Sequence, residues 1–136
     1  MIDKADEVFD RVMTYVISKH PELTELNFSS DDAEAPSTFP FISIVQADTR
    51  TYADGQDDRL QENMAIVMFR VEIYSNKVIG KREECRTLSH DIDDYMHRMN
   101  FSRESLGFVQ NMSNNSIARM VGTYSVLADE NNFYRR

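Results

Sequence analysis

Between residues 64 and 99 the apolar period of the chain switches from two to about 3.6, and this switch constrains the fold more than any other feature. Ala65, Val67, Phe69, Val71 and Ile73 alternate with Ile66, Met68, Arg70, Glu72 and Tyr74, so a strand over residues 64–73 has one apolar face and one mixed face. After the turn Tyr74-Ser75-Asn76-Lys77, a helix is predicted over residues 78–99. Cys85, Leu88, Ile92, Tyr95, Met96 and Met99 share one stripe of it, with Glu83, Arg86, His90, Asp94 and His97 nearly opposite. A strand joined so tightly to an amphipathic helix buries both apolar surfaces only if the helix lies back on the sheet, which excludes all-α and all-β architectures.

The remaining elements follow the same rules. Ala5, Val8, Phe9, Val12 and Val16 form one stripe, predicting a helix over residues 3–19 with Asp3 as its N-cap and Pro21 disfavouring helical geometry at His20. Residues 22–40 lose periodicity and gather Ser, Asp and Pro, which predicts a long irregular connection. A strand is expected over 41–49, then an acidic polar segment over 51–62 joining it to the next strand as a hairpin. A second hairpin is expected from 108–112 and 117–128 across Ser113-Asn114-Asn115-Ser116, with Gly122 placed for close approach of a helix. The expectation is one α+β domain over residues 1–136: a mostly antiparallel four-stranded sheet with two helices packed on it, in the order α-β-β-α-β-β.

Net charge narrows the partners. At -8 and a pI near 4.8, the chain repels a phosphate backbone, which disfavours DNA wrapping or sequence reading. The single Cys85 has no intrachain disulfide partner and is expected to be a small buried hydrophobe in a reducing compartment. The acidic start Asp3, Asp6, Glu7 is unlike a secretion signal, and no apolar run is long enough to span a bilayer, so the expected site of synthesis and folding is the cytoplasm. Asn-x-Ser sequences such as those at Asn27, Asn100 and Asn114 then have no glycosylation role.

No constellation reads as catalytic. Ser89-His90-Asp91 are consecutive, and neighbours on a helix point about 100° apart, so they cannot form a nucleophile-base-orienter relay. His90, Asp94 and His97 converge on one helix face, but a single helix closes too little of a metal's coordination sphere, and no metal or other cofactor is expected. Asp54, Asp57, Asp58 and Glu62 lack the alternating ligand spacing of a calcium loop.

The block from strand 64–73 through Tyr74-Ser75-Asn76-Lys77 into Lys81-Arg82-Glu83-Glu84-Cys85-Arg86, with Arg119-Met120-Val121-Gly122-Thr123-Tyr124-Ser125 and Asn131-Asn132-Phe133-Tyr134-Arg135-Arg136, resembles the tail terminator proteins of long-tailed bacteriophages. The resemblance implies a non-enzymatic virion protein that closes into a hexameric ring on the tail tube, stops tube growth and presents a docking surface to the connector of the DNA-filled head. Its implied partners are copies of itself, the tail tube protein and the head-tail connector or neck proteins. DNA would only pass through the lumen, and no membrane is involved. Carried over by position, Asp54, Asp57, Asp58 and Glu62 would face the lumen or the tube. Arg86, His90, Asp94 and His97 with Phe133, Tyr134, Arg135 and Arg136 would form subunit or neck contacts. Its implied location is the virion tail or neck, after assembly in the host cytoplasm. The alternative within the class is another head-tail joining protein; outside it stand a small metal-dependent enzyme and a cytoplasmic adaptor.

Overall fold

A computed structural model describes residues 2–31, 36, 38–51, 64–110 and 116–135. Helix α1 (Ala5–Lys19) leads through a short 3-10 turn (Glu25–Asn27) to strand β1 (Phe28–Ser29), then to the long strands β2 (Phe41–Thr51) and β3 (Ala65–Ser75). Helix α2 (Lys81–Arg98), strands β4 (Ser102–Val109) and β5 (Ala118–Ala128), and the short β6 (Phe133–Tyr134) complete the order.

The sheet is a curled, mixed one of six strands, in the order β1-β2-β3-β5-β4 with β6 also on β5, rather than the expected four-stranded, mostly antiparallel sheet. The long strands pair antiparallel, as the two apolar periods demand, but β1 runs parallel to β2 through Phe28 opposite Ile42 and Ser29 opposite Ser43. Two-residue strands such as β1 and β6 leave no periodicity to read. Strand β4 begins at Ser102, well before the expected residue 108, because Ser102, Arg103, Glu104 and Ser105 make a polar edge that alternation does not mark.

Both helices lie on one face of this sheet. Val8, Val12 and Val16 of α1 and Cys85, Leu88, Ile92 and Met96 of α2 join Ile42, Ile44, Val67, Phe69, Ile73, Tyr124 and Val126 in a single buried cluster. Polar contacts fix the layers: the Tyr124 hydroxyl donates to Asp93 Oδ1 at 2.9 Å, and the Lys4 backbone N–H donates to Gln46 Oε1 at 2.9 Å. The Cys85 thiol sits 3.6 Å from the Ile73 carbonyl, and desolvation, followed by the Glu84 charge, pushes its pKa up to about 11. Such a thiol is inert in the folded state.

Helix boundaries moved inward at both N-termini. Asp3 stands outside α1 and accepts the Ala5 N–H at 3.0 Å, while Lys4 occupies the capping position. Helix α2 starts at Lys81 instead of residue 78 because Gly80 takes φ +86, a left-handed conformation incompatible with continuing the helix backwards. Val78 and Ile79 are thereby left in the turn. Among the described residues, no helix is long and apolar enough to cross a membrane.

Candidate assembly interface

Exposed apolar side chains, a buried charge cluster and two grooves gather at the end of the sheet where β2 starts and β3 finishes. Register aligns Phe41, Tyr74, Arg119 and Val109 across four strands on the face away from the helices. One step inward, the nearly buried Glu72 accepts the Tyr74 hydroxyl at 2.6 Å and Arg119 Nη2 at 2.9 Å, with Arg70 Nε at 3.2 Å. The two guanidiniums that flank this enclosed carboxylate offset the cost of burying it. Burial, reinforced by the hydrogen bond to Glu72, pushes Tyr74 up to about 12. For Arg119 desolvation works downward, but the bond to Glu72 and its charge outweigh it and the pKa rises.

Beside this rung the turn before α2 projects two large apolar side chains into solvent, Val78 at 98% exposure and Ile79 at 89%. The turn is held on both sides. Glu84 accepts the Ser75 hydroxyl at 2.6 Å and pairs with Lys77 Nζ at 3.2 Å, so the two ends of the turn are fastened to the first turn of α2. Burying both side chains against a partner would return about 3 kcal/mol or more. Leu26, 77% exposed, stands on the neighbouring 3-10 turn, which Thr24 and Asn27 cap reciprocally and which Asn27 Nδ2 ties to the Pro40 carbonyl at 2.7 Å. An open groove lined by His20, Leu23, Pro40, Ile79, Glu84 and Leu88 runs between these features.

On the other side of the α2 start lies a second groove of different character, lined by Lys81, Arg82, Phe108, Val109, Ile117 and Arg119. The Arg82 guanidinium stacks over Phe108 at 4.1 Å from the ring centroid, and Arg86 approaches the same ring at 5.3 Å. Neither Lys81 nor Arg82 has a carboxylate partner among the described residues.

The residues singled out from the sequence fall in three places. Arg86, His90, Asp94 and His97 are exposed on α2, with Arg86 3.8 Å from Glu83. Phe133 is half-buried against its own chain, 5.7 Å from Phe101, while Tyr134 and Arg135 are exposed and the Tyr134 hydroxyl donates to Asp129 Oδ2 at 2.8 Å. Asp54, Asp57, Asp58, Glu62 and Arg136 lie outside the described residues. Ser89-His90-Asp91 is pulled apart: Ser89 is buried and donates to the Arg86 carbonyl at 2.9 Å, while Asp91 faces His20 Nε2 at 2.5 Å. Among the described residues, no three His, Cys, Asp or Glu side chains converge as metal ligands.

Sequence reasoning missed two elements of this end of the sheet and one contact at its far end. Val78 and Ile79 were absorbed into the helix, although the Gly80 that follows them was a readable break. Glu72 and Arg119 sit on mixed strand faces, where only cross-strand register reveals that they meet. Lys4 is buried with its ammonium donating to the Glu130 carbonyl at 2.7 Å, a contact across 126 positions that no local pattern carries. No protein-family model matches the chain, and no curated protein matches it significantly.

Proposed function

We propose that this chain is a structural virion protein of a long-tailed bacteriophage, a tail terminator that forms a ring on the end of the tail tube, ends its growth and offers the head connector a docking surface. The observation that carries this reading is the pair Val78 and Ile79, almost wholly exposed on a turn fastened by Ser75, Lys77 and Glu84. A fixed apolar projection of this kind is a feature of surfaces completed by a partner. The resemblance of residues 64–86, 119–125 and 131–136 to the terminator family supplies the partner's identity.

Ring closure needs two unlike patches on each protomer. The apolar projection with its groove and the basic groove across the α2 start are surfaces available for contacts with the tube or with neighbouring copies. The exposed α2 face (Arg86, His90, Asp94, His97) and Tyr134 and Arg135 provide further subunit or neck contacts. Net charge of -8 suits a passage that DNA crosses without sticking, and the function requires no bond-breaking chemistry. In this reading the protein assembles in the host cytoplasm and resides in the virion neck.

Adding purified protein to pre-formed tail tubes and imaging them by negative stain tests the reading. The expected result is ring-like caps on tube ends and arrested elongation. Tubes that stay uncapped while the protein binds isolated connector would assign it to another head-tail joining station, and a chain that ignores both refutes the proposal.

A further inference from the structure

The basic groove and the most acidic segment of the chain lie at opposite ends of one sheet. Lys81, Arg82 and Arg119 surround Phe108 and Val109 at the end where β2 begins, whereas residues 52–63, with Asp54, Asp57, Asp58 and Glu62 against Arg59 alone, leave and re-enter at the far end, where Thr51 pairs with Ala65. We infer that the groove takes up the acidic 52–63 segment of a second copy of this chain, joining protomers head to tail. This rests on the ring reading for closure and deepens it by giving those carboxylates a subunit partner in place of a lumen-facing role.

Chain length disfavours the intramolecular alternative. The eleven residues of β2 separate the two ends by roughly 33 Å. Anchored at both Thr51 and Ala65, the connecting segment reaches at most about 24 Å from its base even fully extended. A protomer's own carboxylates would therefore reach its own groove only with the segment and the side chains stretched nearly straight along the sheet, whereas a second copy can present them without that loss of chain freedom.

Charge argues for the same occupant. In a chain of net charge -8, a solvent-facing groove with Lys81 and Arg82 free of carboxylate partners among the described residues is an exception to the surrounding field. Complementary potentials orient partners and fix their register. Phe108 seats the Arg82 guanidinium 4.1 Å from its ring centroid, and a guanidinium's forked donors suit carboxylates. Because the donor and acceptor regions differ, the contact is heterologous, and it closes into a ring when the rotation between copies permits.

The test uses the full chain as wild type, K81E/R82E, D57K/D58K and an equimolar mixture of the two variants, by sedimentation velocity over a concentration series. Wild type is expected to self-associate, and to do so less as salt shortens the Debye length from about 10 to about 3 Å. Each reversal should weaken association about tenfold or more, and the mixture should recover it, since each variant retains the end the other needs. Melting curves for all variants, with K81E alone as a milder change, separate lost contact from lost fold. A wild type monomeric throughout, reversals without effect, or a mixture that fails to recover overturns the inference. Tube capping by a chain whose rings ignore both reversals sinks this contact and leaves the terminator reading intact; charge-dependent association in a chain that ignores tubes does the opposite.

Discussion

Asn100 Nδ2 donates a 2.9 Å hydrogen bond to the Phe133 carbonyl, fastening the second residue after α2 to the last strand, 33 positions away. Asn100 also holds φ +73, the only non-glycine in the left-handed region among the described residues. Around this bond Phe133 packs on Phe101, and the Lys4 ammonium lies 5.2 Å from the Phe133 ring centroid. The start of α1, the end of α2 and the C-terminal segment thus converge on one asparagine.

Two substitutions separate its roles. N100G keeps the backbone conformation and loses only the hydrogen bond, so it should cost about 1 kcal/mol. N100A loses the bond and also strains the left-handed backbone, so about 2 kcal/mol or more is expected. Urea denaturation measures both, and limited proteolysis should cut the C-terminal segment faster in either variant. Equal losses for the two would remove the conformational part of the argument.

Glu72 gathers Tyr74, Arg119 and Arg70 around one carboxylate whose side chain is 7% exposed. Removing it in E72A takes one acceptor away from two guanidiniums and a hydroxyl. A fully buried pair broken this way loses about 3–5 kcal/mol, and here the arginines reach solvent, so about 2–3 kcal/mol is expected. E72Q retains acceptor geometry without charge and should lose less. The same denaturation curves decide the ranking; an E72A as stable as wild type would mean the cluster contributes nothing net.

The two networked tyrosines predict an alkaline limit to stability. Tyr74 is raised to about 12 by burial and by Glu72, and Tyr124 is raised further by burial and by its bond to Asp93. For a phenol, a folded pKa above the unfolded value near 10 means the folded state retains its proton where the unfolded chain has lost it. Their contribution is therefore complete below pH ~10 and declines as pH climbs toward the folded values. Absorbance titration should show a late step in which Tyr74 and Tyr124 ionise only as the fold opens, and Y124F should remove part of it. A single titration step near pH 10 with the fold intact would contradict this.

The limits of sequence reading follow from what local patterns encode. Period-two and period-3.6 faces marked the long strands and both helices, because Val67, Phe69 and Ile73 on one side and Val8, Val12, Ile92 and Met96 on the other must share a core. Strands β1 and β6 carry no such signal, since two residues cannot display a period and their pairing is decided by neighbours already in place. Gly122 shows the same boundary. Its lack of a side chain was readable, but the neighbour it accommodates is not a helix: an added Cβ would stand 3.0 Å from Leu106 Cδ1 on β4 and 3.1 Å from Tyr124 Cε2. Of the candidate site, the cations of α2 were visible as residues, whereas their grouping with Phe108 and Arg119 depends on how β4 and β5 pair.

Val78 and Ile79 give the most direct measure of whether this end of the molecule is built for contact. Their side chains bury almost nothing in the isolated chain, so V78S/I79S should leave unfolding free energy within about 0.5 kcal/mol of wild type. The backbone of the turn keeps its fastening, because Gly80 and the Ser75, Lys77 and Glu84 contacts are untouched. If the pair inserts into a partner, the same change should reduce tube capping or ring formation by about tenfold or more, the effect of about 1.4 kcal/mol or more of lost apolar burial. Unchanged stability with undiminished capping would show the two side chains to be idle in assembly. A large loss of stability would mean instead that the turn packs on its own protomer.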